Sequence, residues 1–81
     1  MRSFIRTIKI SNQFNPEFWF EQIQMQRNIG YFVTVKDQEG KEYAFNMKLK
    51  DEKWKIVNAP KVPEWIITVE DRLEQAILDS F

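Results

Sequence analysis

WFEQIQMQRNIGYFVTVKDQEGKEYAFNMKLKDEKWKIVN, the stretch from Trp19 to Asn58, decides the fold of this 81-residue chain. It reads as three successive hairpins. Gly30 and Gly40 are the only glycines, and each stands where a type I turn followed by a G1 bulge needs a residue with positive φ. Turns placed there set the pairing. Arg27 then faces Tyr31, Met25 faces Val33 and Ile23 faces Val35, while Gln26, Gln24 and Gln22 fall opposite Phe32, Thr34 and Lys36. Around Gly40, Asp37 faces Lys41, Val35 faces Tyr43, Val33 faces Phe45 and Tyr31 faces Met47. A two-residue turn at Asp51-Glu52 pairs Leu49 with Trp54 and Met47 with Ile56. Apolar meets apolar and polar mostly meets polar, which predicts a four-stranded antiparallel meander.

Upstream, Phe4, Arg6, Ile8 and Ile10 alternate with Ile5, Thr7 and Lys9. Phe4, Ile5 and Ile8 would also fit one helical face, but the alternation favours a strand over Phe4 to Ile10. A polar loop follows from Ser11 to Pro16. Asn15-Pro16-Glu17 has the composition of a helix start. A helix there would discard the hairpin matches and leave Gly30 without a role, so it is set aside beyond its first turn.

Downstream, Ala59-Pro60-Lys61-Val62-Pro63 is a rigid connection, because two prolines cannot continue a ladder. Pro63 then opens a C-terminal helix with Glu64 in its first turn. Ile66, Val69, Leu73 and Ile77 form one stripe, flanked by Trp65 and Ala76. The expected sheet face beneath it holds Ile23, Met25, Tyr31, Val33, Val35, Tyr43, Phe45, Met47, Leu49, Trp54 and Ile56. The fold class is therefore α+β: a two-layer sandwich in which a β-meander of four strands, plus an N-terminal strand, packs on one C-terminal helix. Residues 1–81 form a single domain.

A domain this small buries only about 60% of its extended-chain surface, so its stability is marginal unless something adds to it. With no cysteine for a disulfide, dense aromatic packing or self-association must serve, and 43% hydrophobic and 15% aromatic residues suit both. Twelve basic and twelve acidic residues give zero net charge, which argues against a dedicated polyanion binder. The acids gather at the end, where Glu64, Glu70, Asp71, Glu74 and Asp79 face only Arg72 between Pro63 and Phe81. No apolar run approaches a membrane span, and the opening Met-Arg-Ser-Phe-Ile-Arg lacks a signal-peptide core. The expected location is the cytoplasm, with no membrane partner.

Catalysis finds little support, since neither His nor Cys is present and the commonest neutral-pH base and the strongest nucleophile are thus missing. No zinc or EF-hand spacing occurs, no glycine loop is spare to cradle phosphate, and no cofactor is expected. Glu70 falls beside the helix stripe as a candidate partly buried acid. A structural role, bonded to Tyr31, Tyr43 or Arg27, is the favoured reading. On the outer sheet face Lys48 meets Lys55 and Lys50 meets Lys53, a basic patch with Phe32 and Val57 on the same face. That outline fits a single-strand nucleic-acid or acidic-ligand platform, although lysines also guard an edge strand against aggregation. A second helix strip, Ile67, Leu78 and Phe81, is more than one sheet face can cover, so either the N-terminal segment or a second copy covers it, and Phe32 and Val57 on the outer face are the alternative contact patch. Phe14, Phe18 and Phe20 add apolar surface outside the expected core, and large apolar patches mark contacts. The sequence thus points to a small, non-catalytic, cytoplasmic domain acting through protein–protein contact as a homodimer. The alternative is a ligand- or nucleic-acid-binding module on the outer sheet face.

Overall fold

The computed structural model describes residues 2–57 and 61–81. Five strands, β1 (Ser3–Thr7), β2 (Glu17–Met25), β3 (Asn28–Lys36), β4 (Glu42–Lys50) and β5 (Lys53–Val57), precede two helical segments, α1 (Glu64–Ile67) and α2 (Glu70–Asp79). The strands form one antiparallel sheet in sequence order. This is the expected small α+β fold, with the N-terminal strand present and shorter than its alternation suggested. The expected connection at Asn58, Ala59 and Pro60 lies outside the described residues.

The second and third hairpins have the expected register. Val35 pairs with Tyr43, Val33 with Phe45 and Tyr31 with Met47, and Leu49 pairs with Trp54 and Met47 with Ile56. Gly40 has φ of 87°, while Asp51 and Glu52 both have positive φ, at 51° and 69°, as a type I′ turn requires. Asp37 organises the Gly40 turn. Its Oδ1 accepts the Glu39 and Lys41 N–H groups, each at 2.9 Å, and Tyr43 donates its hydroxyl to Oδ2 at 3.3 Å.

The first hairpin differs. Its turn is Gln26-Arg27, with Gln26 at φ 51°, and Met25 pairs with Asn28, Ile23 with Gly30, Gln22 with Tyr31 and Phe20 with Val33. The expected partners Met25–Val33, Ile23–Val35 and Arg27–Tyr31 are displaced by five positions. An odd displacement turns β2 over. Phe18 and Phe20, expected outside the core, are fully buried in it, and Ile23 and Met25 move to the outer face. The reason is area: two phenylalanines bury more apolar surface than an isoleucine and a methionine.

Gly30 is therefore a strand residue in β3 without positive φ. It is needed for space. A Cβ there would collide with the Met25 sulfur and lie 3.2 Å from the Met47 carbonyl oxygen. Met25 lies across the gap that the missing side chain leaves.

The helix follows the expected stripe, with Ile66, Val69, Leu73, Ala76 and Ile77 buried. It is two segments rather than one. Ile66, Ile67, Thr68 and Val69 are four consecutive β-branched residues, which crowd a helix. Thr68 Oγ1 bonds back to the Glu64 carbonyl at 2.9 Å, and Val69 leaves helical geometry at φ −103°, ψ 19°. Pro63, expected as the first helical residue, is the N-cap at φ −66°, ψ 157°.

Two aromatic groups fill the core. Phe4 stacks on Phe20 at 4.6 Å, Phe20 meets Tyr31 edge-on, and Tyr31 meets Trp54 at 5.3 Å, a line that crosses the sheet from β1 to β5. Trp65 gathers Phe14, Phe18 and Tyr43 around it at 5.1 to 6.4 Å. Leu49, expected in the core, sits at the end of its strand and is exposed.

Gly30→Ala should cost about 1 kcal/mol by pushing Met25 off the sheet. In a Met25→Ala background most of that cost should vanish, as a denaturant double-mutant cycle can measure. An equal cost in both backgrounds would place the conflict at the Met47 carbonyl. The backbone N–H of Lys41, with that of Glu39, the Tyr43 hydroxyl and the Lys41 charge, holds Asp37 below the usual carboxylate range. The stability this gives is in place above that range and is lost as pH falls through the lowered value. Asp37→Asn should flatten the acid limb of the stability–pH curve, and an unchanged limb would show that other carboxylates set it.

Candidate functional site

The helix and the sheet edges meet in two different ways. On β5 the N–H groups of Trp54 and Ile56 point away from β4, as the free donors of an edge strand. The Glu74 carboxylate accepts the first at 2.9 Å and the Glu70 carboxylate accepts the second at 2.9 Å. Four residues along a helix rise about 6.0 Å, and two along a strand rise about 6.6 Å. The i, i+4 carboxylates therefore match the i, i+2 amides. Glu70 is thus a structural acid, but its partner is a strand amide rather than Tyr31, Tyr43 or Arg27. Its other oxygen lies 3.7 Å from the Lys55 ammonium.

On the β1 side, α2 holds the chain by its other flank. Arg6 lies 3.6 Å from the Asp79 carboxylate, Arg72 donates to the Lys9 carbonyl at 2.7 Å, and Arg2 donates to the Ser80 carbonyl. These contacts bracket β1 at its ends and leave its strand amides alone.

The sheet face turned away from the helix is uncovered. On it Trp19 is 57% exposed, Ile5 44% and Phe32 38%, and Ile23, Met25 and Val57 are half-buried. Ile5 pairs with Trp19, Trp19 with Thr34, and Glu21 with Phe32. The apolar residues thus form a strip from the β1 edge inward, with Glu21 set between Trp19 and Phe32. A groove of about 670 Å³ lies at one end, where Trp19 meets Phe14, Pro16 and the base of the Gly40 hairpin. Glu17, Lys36, Asp37 and Glu42 give its walls charges of both signs.

The lysines pair as expected, Lys48 with Lys55 and Lys50 with Lys53. They occupy the corner of the outer face far from Trp19, and Lys55 is drawn toward Glu70. Phe32 and Val57 lie in one row of the sheet through Asn46. Ile67, Leu78 and Phe81 are all exposed on the helix side, Phe81 at 70%, so they do not join the outer-face patch. Among the described residues, no group of three or more His, Cys, Asp or Glu is placed to hold a metal ion, and no helix is long and apolar enough to cross a membrane.

Ile5, Trp19 and Glu74 are the residues that sequence reasoning passed over. The signal for Trp19 was its alternation with Phe18 and Phe20, which can put only one parity inside.

Glu70→Ala and Glu74→Ala should each cost roughly 1.5–3 kcal/mol, the value of a hydrogen bond to a charged group. The Gln variants should recover part of the loss, since the amide oxygen still accepts. Urea melts that leave Ala and wild type equal would show that the carboxylates do not hold the edge. No protein-family model, curated protein or solved structure matches the chain.

Proposed function

We propose that this chain is a small, non-catalytic, cytoplasmic domain that acts through protein–protein contact and associates with a second copy of itself. The observation that carries this reading is the uncovered apolar strip of the outer face, Ile5, Trp19 and Phe32, which begins at the sheet edge. Contiguous exposed aromatic and aliphatic residues are costly to leave in water and mark contact surfaces. Zero net charge leaves little repulsion between copies. A chain without His or Cys lacks the usual base and nucleophile, and one without cysteine suits a reducing compartment.

A nucleic-acid platform fits less well. Such a surface sets its aromatics among basic groups, whereas Trp19 and Phe32 flank Glu21 and only Lys48 comes diagonally beside Phe32.

Sedimentation equilibrium over a concentration series should show reversible self-association in the micromolar range. Trp19→Lys should weaken it with little change in the thermal melt, because Trp19 contributes little to the core. A strict monomer at high micromolar concentration overturns the homodimer. Binding of a labelled single-stranded oligonucleotide that is lost on Lys48→Glu would replace protein contact with the platform reading.

A further inference from the structure

The two edges of the sheet are finished differently. Gln22 donates its N–H to the Arg2 carbonyl at 2.7 Å, and Ile8 donates to the Pro16 carbonyl at 3.1 Å. These bonds mark the even-numbered residues as the ones bonded to β2. In an antiparallel ladder bonded and non-bonded pairs alternate, so Ser3, Ile5 and Thr7 direct their N–H and C=O groups outward. Among the described residues nothing bonds to them there, whereas on β5 Glu70 and Glu74 accept the corresponding N–H groups.

β1 is short and carries Arg6 on its helix-facing side, but it has few of the other devices that keep an edge from pairing. Ser3 to Thr7 contains no proline and no lysine, and its one charge, Arg6, sits beside Asp79. Ile5, at the centre of the strand, is 44% exposed.

We propose that β1 is the surface through which two copies of this chain join, by antiparallel pairing of β1 with β1 of the second copy. The inference rests on the self-association reading above and names its site. The outward groups fix the phase, and of the in-phase registers only the one centred on Ile5 pairs Ser3, Ile5 and Thr7 all with one another. Centred on Ile5, the pairing sets Ile5 against Ile5 of the second copy and Ser3 against Thr7 in both directions, all as bonded pairs. Phe4 then falls opposite Arg6, so no like charges meet. The neighbouring in-phase register centred on Arg6 would oppose Arg6 to itself, which cross-strand pairing penalises.

On the outer face, each Ile5 lies between its own Trp19 and the second Ile5. The two apolar strips become one, and part of the surface that a single copy leaves in water is covered. Because β5 is closed by the helix, each copy offers one open edge. Pairing is therefore isologous, and it stops at two rather than propagating into a filament.

Proline can occupy an edge strand where its missing N–H faced outward, so Ile5→Pro removes the central dimer donor and leaves the β1–β2 ladder intact. In sedimentation equilibrium it should weaken association at least tenfold with the native circular dichroism retained. The chain has no cysteine of its own, and the Cβ atoms of a bonded antiparallel pair lie about 5.5 Å apart, beyond an unstrained disulfide but within the span of a short bis-maleimide. Ile5→Cys should then give a covalent dimer with that cross-linker. If wild type associates and folded Ile5→Pro associates equally well, edge pairing is overturned while self-association stands. Should Ile5→Pro fail to fold, absence of the Ile5→Cys cross-link in an associating protein overturns it in the same way. A wild-type protein that stays monomeric overturns both.

Discussion

The position of α2 depends on the two carboxylates that reach the amides of β5. Buried apolar residues would let a helix slide or turn on a sheet, because the hydrophobic effect has no direction. Glu70 and Glu74 supply direction, since each must meet one particular N–H, and the near match of helix and strand rise lets both meet at once. With the helix fixed along β5, Leu73 and Ile77 are set over the centre of the sheet, where both are fully buried. The same helix also reaches β1 through Arg6, Arg72 and Arg2. Five flat strands would place β1 and β5 about 19 Å apart, while a helix with its side chains is about 10–12 Å across. The sheet therefore wraps the helix, aided by the reach of the arginine and glutamate side chains.

That wrapping explains which aromatic residues are inside. A curved sheet closed by a helix has a narrow interior, and the line Phe4, Phe20, Tyr31 and Trp54 fills it from one edge to the other. Trp65, on α1, closes the other end with Phe14, Phe18 and Tyr43. The alternative register of β2 would have placed Ile23 and Met25 inside and left Phe18 and Phe20 in water. The turn at Gln26-Arg27, with Gln26 in a left-handed conformation, costs a little strain. The larger area buried by two phenylalanines in place of an isoleucine and a methionine offsets it.

The meander, the last two hairpins and the helix stripe were legible because each rested on two agreeing signals, a turn chemistry and an apolar pattern. The first hairpin had apolar matches too, but they followed from placing Gly30 in the turn, and glycine has two uses in a strand region: positive φ in a turn, or space beneath a neighbour. Here it is the second, with Met25 over it. Side-chain direction alternates along a strand, so one wrong turn moved the whole of β2 to the wrong face. Trp19 was hidden by that error, and Ile5 beside it. Glu70 was recognised as an acid near the core, but its partner was not, because a bond to a backbone amide leaves no trace in residue identity. The break at Thr68 was visible in principle in the run of β-branched residues, and it was overridden by the regular stripe on either side.

Folding alone does not require the apolar character of the outer face. Threonine would satisfy the strand preference at Ile5, Trp19 or Phe32 without exposing that surface, and these side chains face away from the helix and its core. The β5 edge, by contrast, carries lysines and is sealed by two carboxylates, so the chain is well protected against pairing on that side. A pattern of amides capped on one edge and open on the other, with the apolar strip starting at the open one, is not what a lone domain gains from. It is the arrangement expected when the open edge and the strip beside it are covered by another polypeptide, and when uncontrolled growth from the opposite edge must be prevented.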